Sequence, residues 1–217
     1  LVVMGAPEKT GGGAAYLFEV TSGRMLSFVR EFDPQSSPSR YGGSLVIDGD
    51  WLAIGNASDD DPIELYERSG NDFVLRKVLQ PPVVAGITIR GFGAAMDLDG
   101  DLLIVGDASA NVGIVGNAGA VLIFRRDLGG VNNWGLEAAL TDDPPASGNS
   151  YGSAVAIGTD VAVAGDDSLE RAVLYRRIAG QWSSDGLLEP QVLQAGDNFG
   201  GGVAAEGDII AVGATNG

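Results

Sequence analysis

Phe92-Gly93-Ala94-Ala95-Met96-Asp97-Leu98-Asp99-Gly100-Asp101-Leu102-Leu103-Ile104-Val105-Gly106 carries, in one stretch, a grammar that recurs along the chain. An aromatic-glycine pair is followed by small and apolar residues, an Asp-Gly-Asp turn, four apolar residues and a closing glycine. The same order starts at Tyr41-Gly42, Tyr151-Gly152 and Phe199-Gly200, and it closes at Gly55, Gly165 and Gly213. Thirteen residues separate the two glycines in all four copies, whereas the copies begin 51, 59 and 48 residues apart. A fixed inner length with variable outer lengths describes a rigid unit joined by tolerant loops.

The turns inside the unit read Asp48-Gly49-Asp50, Asp99-Gly100-Asp101, Gly158-Thr159-Asp160 and Glu206-Gly207-Asp208. Glycine in three of them supplies the positive φ of a tight hairpin. After the turn come Trp51-Leu52-Ala53-Ile54, Leu102-Leu103-Ile104-Val105, Val161-Ala162-Val163-Ala164 and Ile209-Ile210-Ala211-Val212. Four residues are too few for a helix, and apolar side chains at successive positions predict strands covered on both faces.

Downstream of each hairpin an aromatic strand is followed by charge: Ala15 to Glu19, Ile63 to Glu67, Val121 to Arg125 and Val173 to Arg176. A looser amphipathic strand comes next, opened by Phe73, Trp134 or Trp182. Four strands in a repeat of about 50 residues predict an all-β fold, a β-propeller of four-stranded antiparallel blades. The repeats fall at about 1–40 (partial), 41–90, 91–150, 151–198 and 199–217 (partial), four to five blades in one domain over 1–217. The count is 17 strands, and both ends lie on the second strand of a hairpin. The expectation is therefore an incomplete portion of a larger propeller, or else an open arc whose unpaired edges favour self-association.

The pairs Tyr41-Gly42, Phe92-Gly93, Tyr151-Gly152 and Phe199-Gly200, the hairpin, and the closing Gly5-Ala6-Pro7 together resemble the FG-GAP repeat of integrin α subunits and bacterial surface proteins. Later copies close on Gly55-Asn56-Ala57, Gly106-Asp107-Ala108, Gly165-Asp166-Asp167 and Gly213-Ala214-Thr215. The resemblance implies seven blades in the complete ring and an extracellular or cell-surface location, with any signal peptide outside this chain. It also implies a non-catalytic interaction, adhesion or scaffold module with protein or glycan ligands at its loops. The alternatives are a carbohydrate-binding or carbohydrate-active propeller and a subunit of a surface layer or filament.

Composition narrows the chemistry. The net charge of −16 repels phosphate backbones and anionic headgroups, which argues against nucleic acid and membrane-surface partners. No apolar stretch has the length of a membrane span. Histidine and cysteine are both absent from these 217 residues, which removes the usual triad base, thiol nucleophiles and the commonest metal ligands. The expectation is no enzyme and no cofactor.

Integrin-type blades often hold calcium in this hairpin, and Asp97, Asp99 and Asp101 are candidate ligands. The hairpin is short for a calcium loop, and Leu45 to Asp50 has the same length with Val46 in place of Asp97, so these aspartates read first as turn formers. Asp59, Asp60 and Asp61 are a second candidate cation set, and Asp142-Asp143 a similar pair; both read as solvated loops. Asn56-Ala57-Ser58 is the single glycosylation sequon. Trp51, Trp134 and Trp182 could stack sugars, with packing between repeats as the plainer reading.

Overall fold

A computed structural model describes residues 1–21, 25–34, 40–56, 61–192, 194 and 196–215. Every element among them is a strand, so the all-β expectation holds. The first sheet contains β1 (Val2–Ala6), β2 (Ala14–Val20) and β3 (Leu26–Phe32), and the second contains β4 (Tyr41–Asp48), β5 (Trp51–Asn56), β6 (Ile63–Ser69) and β7 (Asp72–Leu79). Beyond the short β8 (Ile87–Thr88) lie β9 (Ala95–Asp99), β10 (Leu102–Asp107), the short β11 (Asn111–Val112), β12 (Ala120–Arg125) and β13 (Gly135–Leu140). The fourth sheet is β14 (Ala154–Ile157), β15 (Val161–Asp166), β16 (Arg171–Ile178) and β17 (Gln181–Leu188), followed by the hairpin β18 (Phe199–Glu206) and β19 (Ile209–Ala214). Each four-stranded sheet is antiparallel in sequence order; in the third, the order is β9-β10-β12-β13. The two strands beyond the 17 expected are β8 and β11, which pair with each other.

The chain forms two compact units, Leu1–Pro81 with Phe92–Ala94, and Pro82–Gly91 with Ala95–Gly217. In the first, Leu17, Phe32, Tyr41, Leu52, Ile54, Tyr66 and Phe73 form the core between the first and second sheets. In the second, Ile104, Val121, Ile123, Tyr151, Val155, Ala164 and Tyr175 do the same between the third and fourth. The predicted two-faced burial holds for β5, β10 and β15, which are buried at every residue. It fails for β19, whose residues are all exposed or half-buried, because the β18–β19 hairpin packs on the fourth sheet by one face only.

The glycines of the repeat explain how neighbouring sheets approach. Gly42, Gly93, Gly152 and Gly200 all adopt positive φ, between 80° and 90°. A Cβ at Gly5, Gly106 or Gly165 would overlap the carbonyl oxygen of Gly42, Gly152 or Gly200, the aromatic-glycine of the next repeat. Gly42, Gly152 and Gly200 in turn lie against the carbonyls of Ala14, Ala120 and Arg171, where the third strand of the preceding repeat begins. Backbone thus meets backbone without intervening side chains. The turn glycines Gly49, Gly100 and Gly207 also have positive φ, as the hairpins require, but a Cβ there would meet only open space.

Aromatic hydroxyls pin the core from inside. Tyr41 and Tyr66 both donate to Glu64 Oε2, at 2.6 and 2.5 Å, and Glu64 is buried. At the corresponding positions of the fourth sheet the hydroxyls of Tyr151 and Tyr175 lie 2.5 Å apart. Burial, above all, pushes all four phenols above their ordinary value, with the Glu64 carboxylate adding to it at Tyr41 and Tyr66.

Two outcomes follow from this packing. Gly165 has no positive φ, so the whole penalty of Gly165→Ala is the overlap with Gly200; urea unfolding is expected to show a loss of about 3 kcal/mol. Gly100→Ala has only a left-handed conformation to bear and should lose about 1–2 kcal/mol. Equal losses would contradict the close approach. For the phenols, the stabilisation is intact below about pH 10 and is lost as pH rises above it, because unfolded phenols then release protons that folded ones keep. Spectrophotometric titration should show the four ionising together with loss of β-sheet circular dichroism; reversible ionisation of these four tyrosines near pH 10 in a folded chain would contradict their burial.

Candidate functional site

The hairpin aspartates do not converge. Asp97 Oδ1 accepts from the Leu98 backbone, and its Oδ2 accepts from the Ile157 amide of β14 at 2.8 Å. Asp99 meets the Thr159 hydroxyl at 3.3 Å, and Asp101 faces the Arg125 guanidinium at 3.6 Å. Asp97 is therefore a latch between the third and fourth sheets as well as a local turn former, which gives a physical reason for aspartate here against Val46 in the second sheet. Asp61 is half-buried just before β6, while Asp59 and Asp60 lie outside the described residues. Among the described residues no three acidic side chains gather to hold an ion. Asn56, the sequon asparagine, is buried at the end of β5.

The residue after each closing glycine, read in the sequence only as drift from Gly-Ala-Pro, forms a buried polar position at Asn56, Asp107 and Asp166. Asp107 accepts from the backbone amides of Arg90 at 2.8 Å and Ser109 at 3.0 Å, tying the loop before Phe92 to the end of β10. Burial pushes its carboxyl up, against the pull of the amides of Arg90, Gly91, Ser109 and Ala110. Asp166 accepts from the Ser150 and Leu169 amides at 3.2 Å and from the Ser168 hydroxyl at 2.8 Å. These carboxylates close loops.

A feature with the form of a ligand site lies among the described residues between the end of β13 and strands β16 and β17 of the fourth sheet. A cavity of about 330 Å3 is lined by Leu140, Asp142, Arg171, Val173, Tyr175, Trp182 and Ser184, among others. Asp142, expected to be solvated, is 5 % exposed because Arg171 Nη2 binds its Oδ2 at 2.5 Å. Arg171 also faces Asp166 at 3.8 Å, and its buried Nε has no hydrogen-bond partner among the described residues. Trp182 is half-buried, and its indole nitrogen donates to Glu137 Oε1 at 2.9 Å. Glu137 is further gripped by Arg125 and by Arg177 Nε at 2.8 Å, so the indole is fixed from behind by an ion network spanning both sheets. Of the three tryptophans, Trp51 and Trp134 are core residues, and Trp182 lines this cavity.

No protein-family model matches the sequence, and no curated protein matches it.

If Asp97 is a latch, Asp97→Ala should cost about 1–3 kcal/mol by leaving the buried Ile157 amide unpaired. Asp99→Ala, which removes a longer and exposed contact, should stay within about 0.5 kcal/mol. Chemical denaturation of both variants checks this; an equal, small effect would return both residues to the role of turn formers alone.

Proposed function

We propose that the chain is a stretch of an FG-GAP-type β-propeller, each four-stranded sheet a blade, acting as a non-catalytic interaction module at or outside the cell surface. The observation that carries the reading is the recurrent approach of one repeat's closing glycine to the next repeat's aromatic-glycine, at Gly5 and Gly42, Gly106 and Gly152, and Gly165 and Gly200. A joint repeated at the same position stacks sheets at a fixed spacing and leaves the loops free to vary in length and chemistry. That division of labour suits recognition. The resemblance to integrin-type repeats supplies the seven-bladed ring and the extracellular location.

Within this reading the cavity beside Trp182 is the ligand site. Three of its polar groups are already engaged: Asp142 and Arg171 with each other, and Tyr175 with Tyr151. An acid held in an ion pair is poorly placed to donate or accept a proton in a reaction, while it remains a good fixed hydrogen-bonding group.

The parent protein, incubated with panels of polysaccharides and esters, should release neither reducing sugar nor free acid. Sustained turnover that is lost in Asp142→Asn or Asp143→Asn would overturn the proposal.

A further inference from the structure

The cavity arises from a local departure from the repeat, which the strand register locates. In all four of the larger sheets the last two strands share a β-bulge at the same place, between Leu17 and Phe18, Leu65 and Tyr66, Ile123 and Phe124, and Leu174 and Tyr175. Opposite the aromatic residue stand Phe28, Leu75, Leu136 and, in the fourth sheet, Ser184. Across the bulge stand Arg30, Lys77, Ala138 and, in the fourth sheet, Gly186. The fourth sheet has therefore lost the large side chain that covers this aromatic position elsewhere. Tyr175 and Val173 become the floor of an open space, with Trp182 and Leu187 on either side along β17 and Leu140 across from them.

We infer that this space is a subsite for a single neutral sugar ring. This rests on the binding-module reading and names its ligand class. At about 330 Å3 the cavity is at the small end of ligand sites, which run from roughly 300 to 1,000 Å3. A sugar ring presents an apolar C–H face and an equatorial fringe of hydroxyls, and the cavity matches both. Trp182, Tyr175, Val173, Leu140 and Leu187 supply apolar surface, and the hydroxyls of Thr141, Ser183 and Ser184 supply groups that donate or accept. The charged lining residues are Asp142, Asp143 and Arg171, a net charge of −1 that opposes an anion, and the guanidinium is already paired with Asp142.

The test uses the parent protein and its variants Ser184→Leu and Trp182→Phe. Leucine at 184 is the residue that Leu75 and Leu136 supply at the same register, so it fills the cavity in a manner the fold already accepts; phenylalanine at 182 is what Phe73 supplies. Methyl glycosides of glucose, galactose, mannose and N-acetylglucosamine are titrated by saturation-transfer NMR, with glucuronate and tetramethylammonium alongside, and each variant is checked by circular dichroism. At least one neutral glycoside should bind with a Kd on the order of 1 mM. Binding should weaken at least tenfold in Ser184→Leu and severalfold in Trp182→Phe. Absence of binding by every neutral glycoside, preference for either ion, or undiminished sugar binding by both folded variants would overturn the inference. Those outcomes leave the binding-module reading standing, since it falls on turnover of substrate and not on the identity of the ligand.

Discussion

The contact between two glycine backbones, one closing a hairpin and the other opening the next, governs the rest of the fold. Because a single Cβ at Gly106 or Gly165 would overlap a carbonyl of the following repeat, the sheets meet there at backbone distance. This accounts for the thirteen-residue spacing. The hairpin returns on itself so that Gly152 donates its amide to the Gly165 carbonyl at 2.8 Å, setting the two glycines side by side across one strand pair. One of them then faces the repeat before and the other the repeat after. Lengthening the hairpin would break one joint or the other, whereas loops outside it can change length without disturbing either.

Close approach on one side obliges the sheets to fill the wider space beside it with larger residues, and here the aromatic members take over. Tyr41 with Tyr66, and Tyr151 with Tyr175, occupy matching places in the buried interior, the first pair donating to Glu64 and the second meeting hydroxyl to hydroxyl. Their pairing stabilises the core only while the phenols are neutral. Where the packing residues shrink, at Ser184 and Gly186, the same geometry leaves a cavity, so the cavity is a consequence of the repeat and not an addition to it.

The hairpins and the burial of β5, β10 and β15 were legible in the sequence because four successive apolar residues between a turn and a glycine admit few other readings. The β8–β11 ribbon was not, since Ile87–Thr88 and Asn111–Val112 are too short to carry a period. Asp142 looked like one more acid in a charged loop. Its burial depends on Arg171, which is 29 residues away, and nothing local marks the pair. Asp97 looked like a calcium ligand or a turn former, and its second bond reaches Ile157, 60 residues on. Ser184 follows Trp182 by two residues, as Leu75 follows Phe73 and Leu136 follows Trp134, so its place in the repeat is legible in the sequence; that a serine there opens a cavity depends on Leu140, Val173 and Tyr175, which lie on other strands.

A double-mutant cycle on Gly106 and Gly152 tests the central joint most directly. Each alanine alone forces the two backbones apart, and once they are apart the second should cost less, giving a coupling of at least about 1 kcal/mol between residues 46 positions apart in the chain. The left-handed strain of Gly152 enters both arms of the cycle and cancels. Costs that add within about 0.5 kcal/mol would mean that the two glycines do not meet, and the account of how these sheets are joined would be wrong.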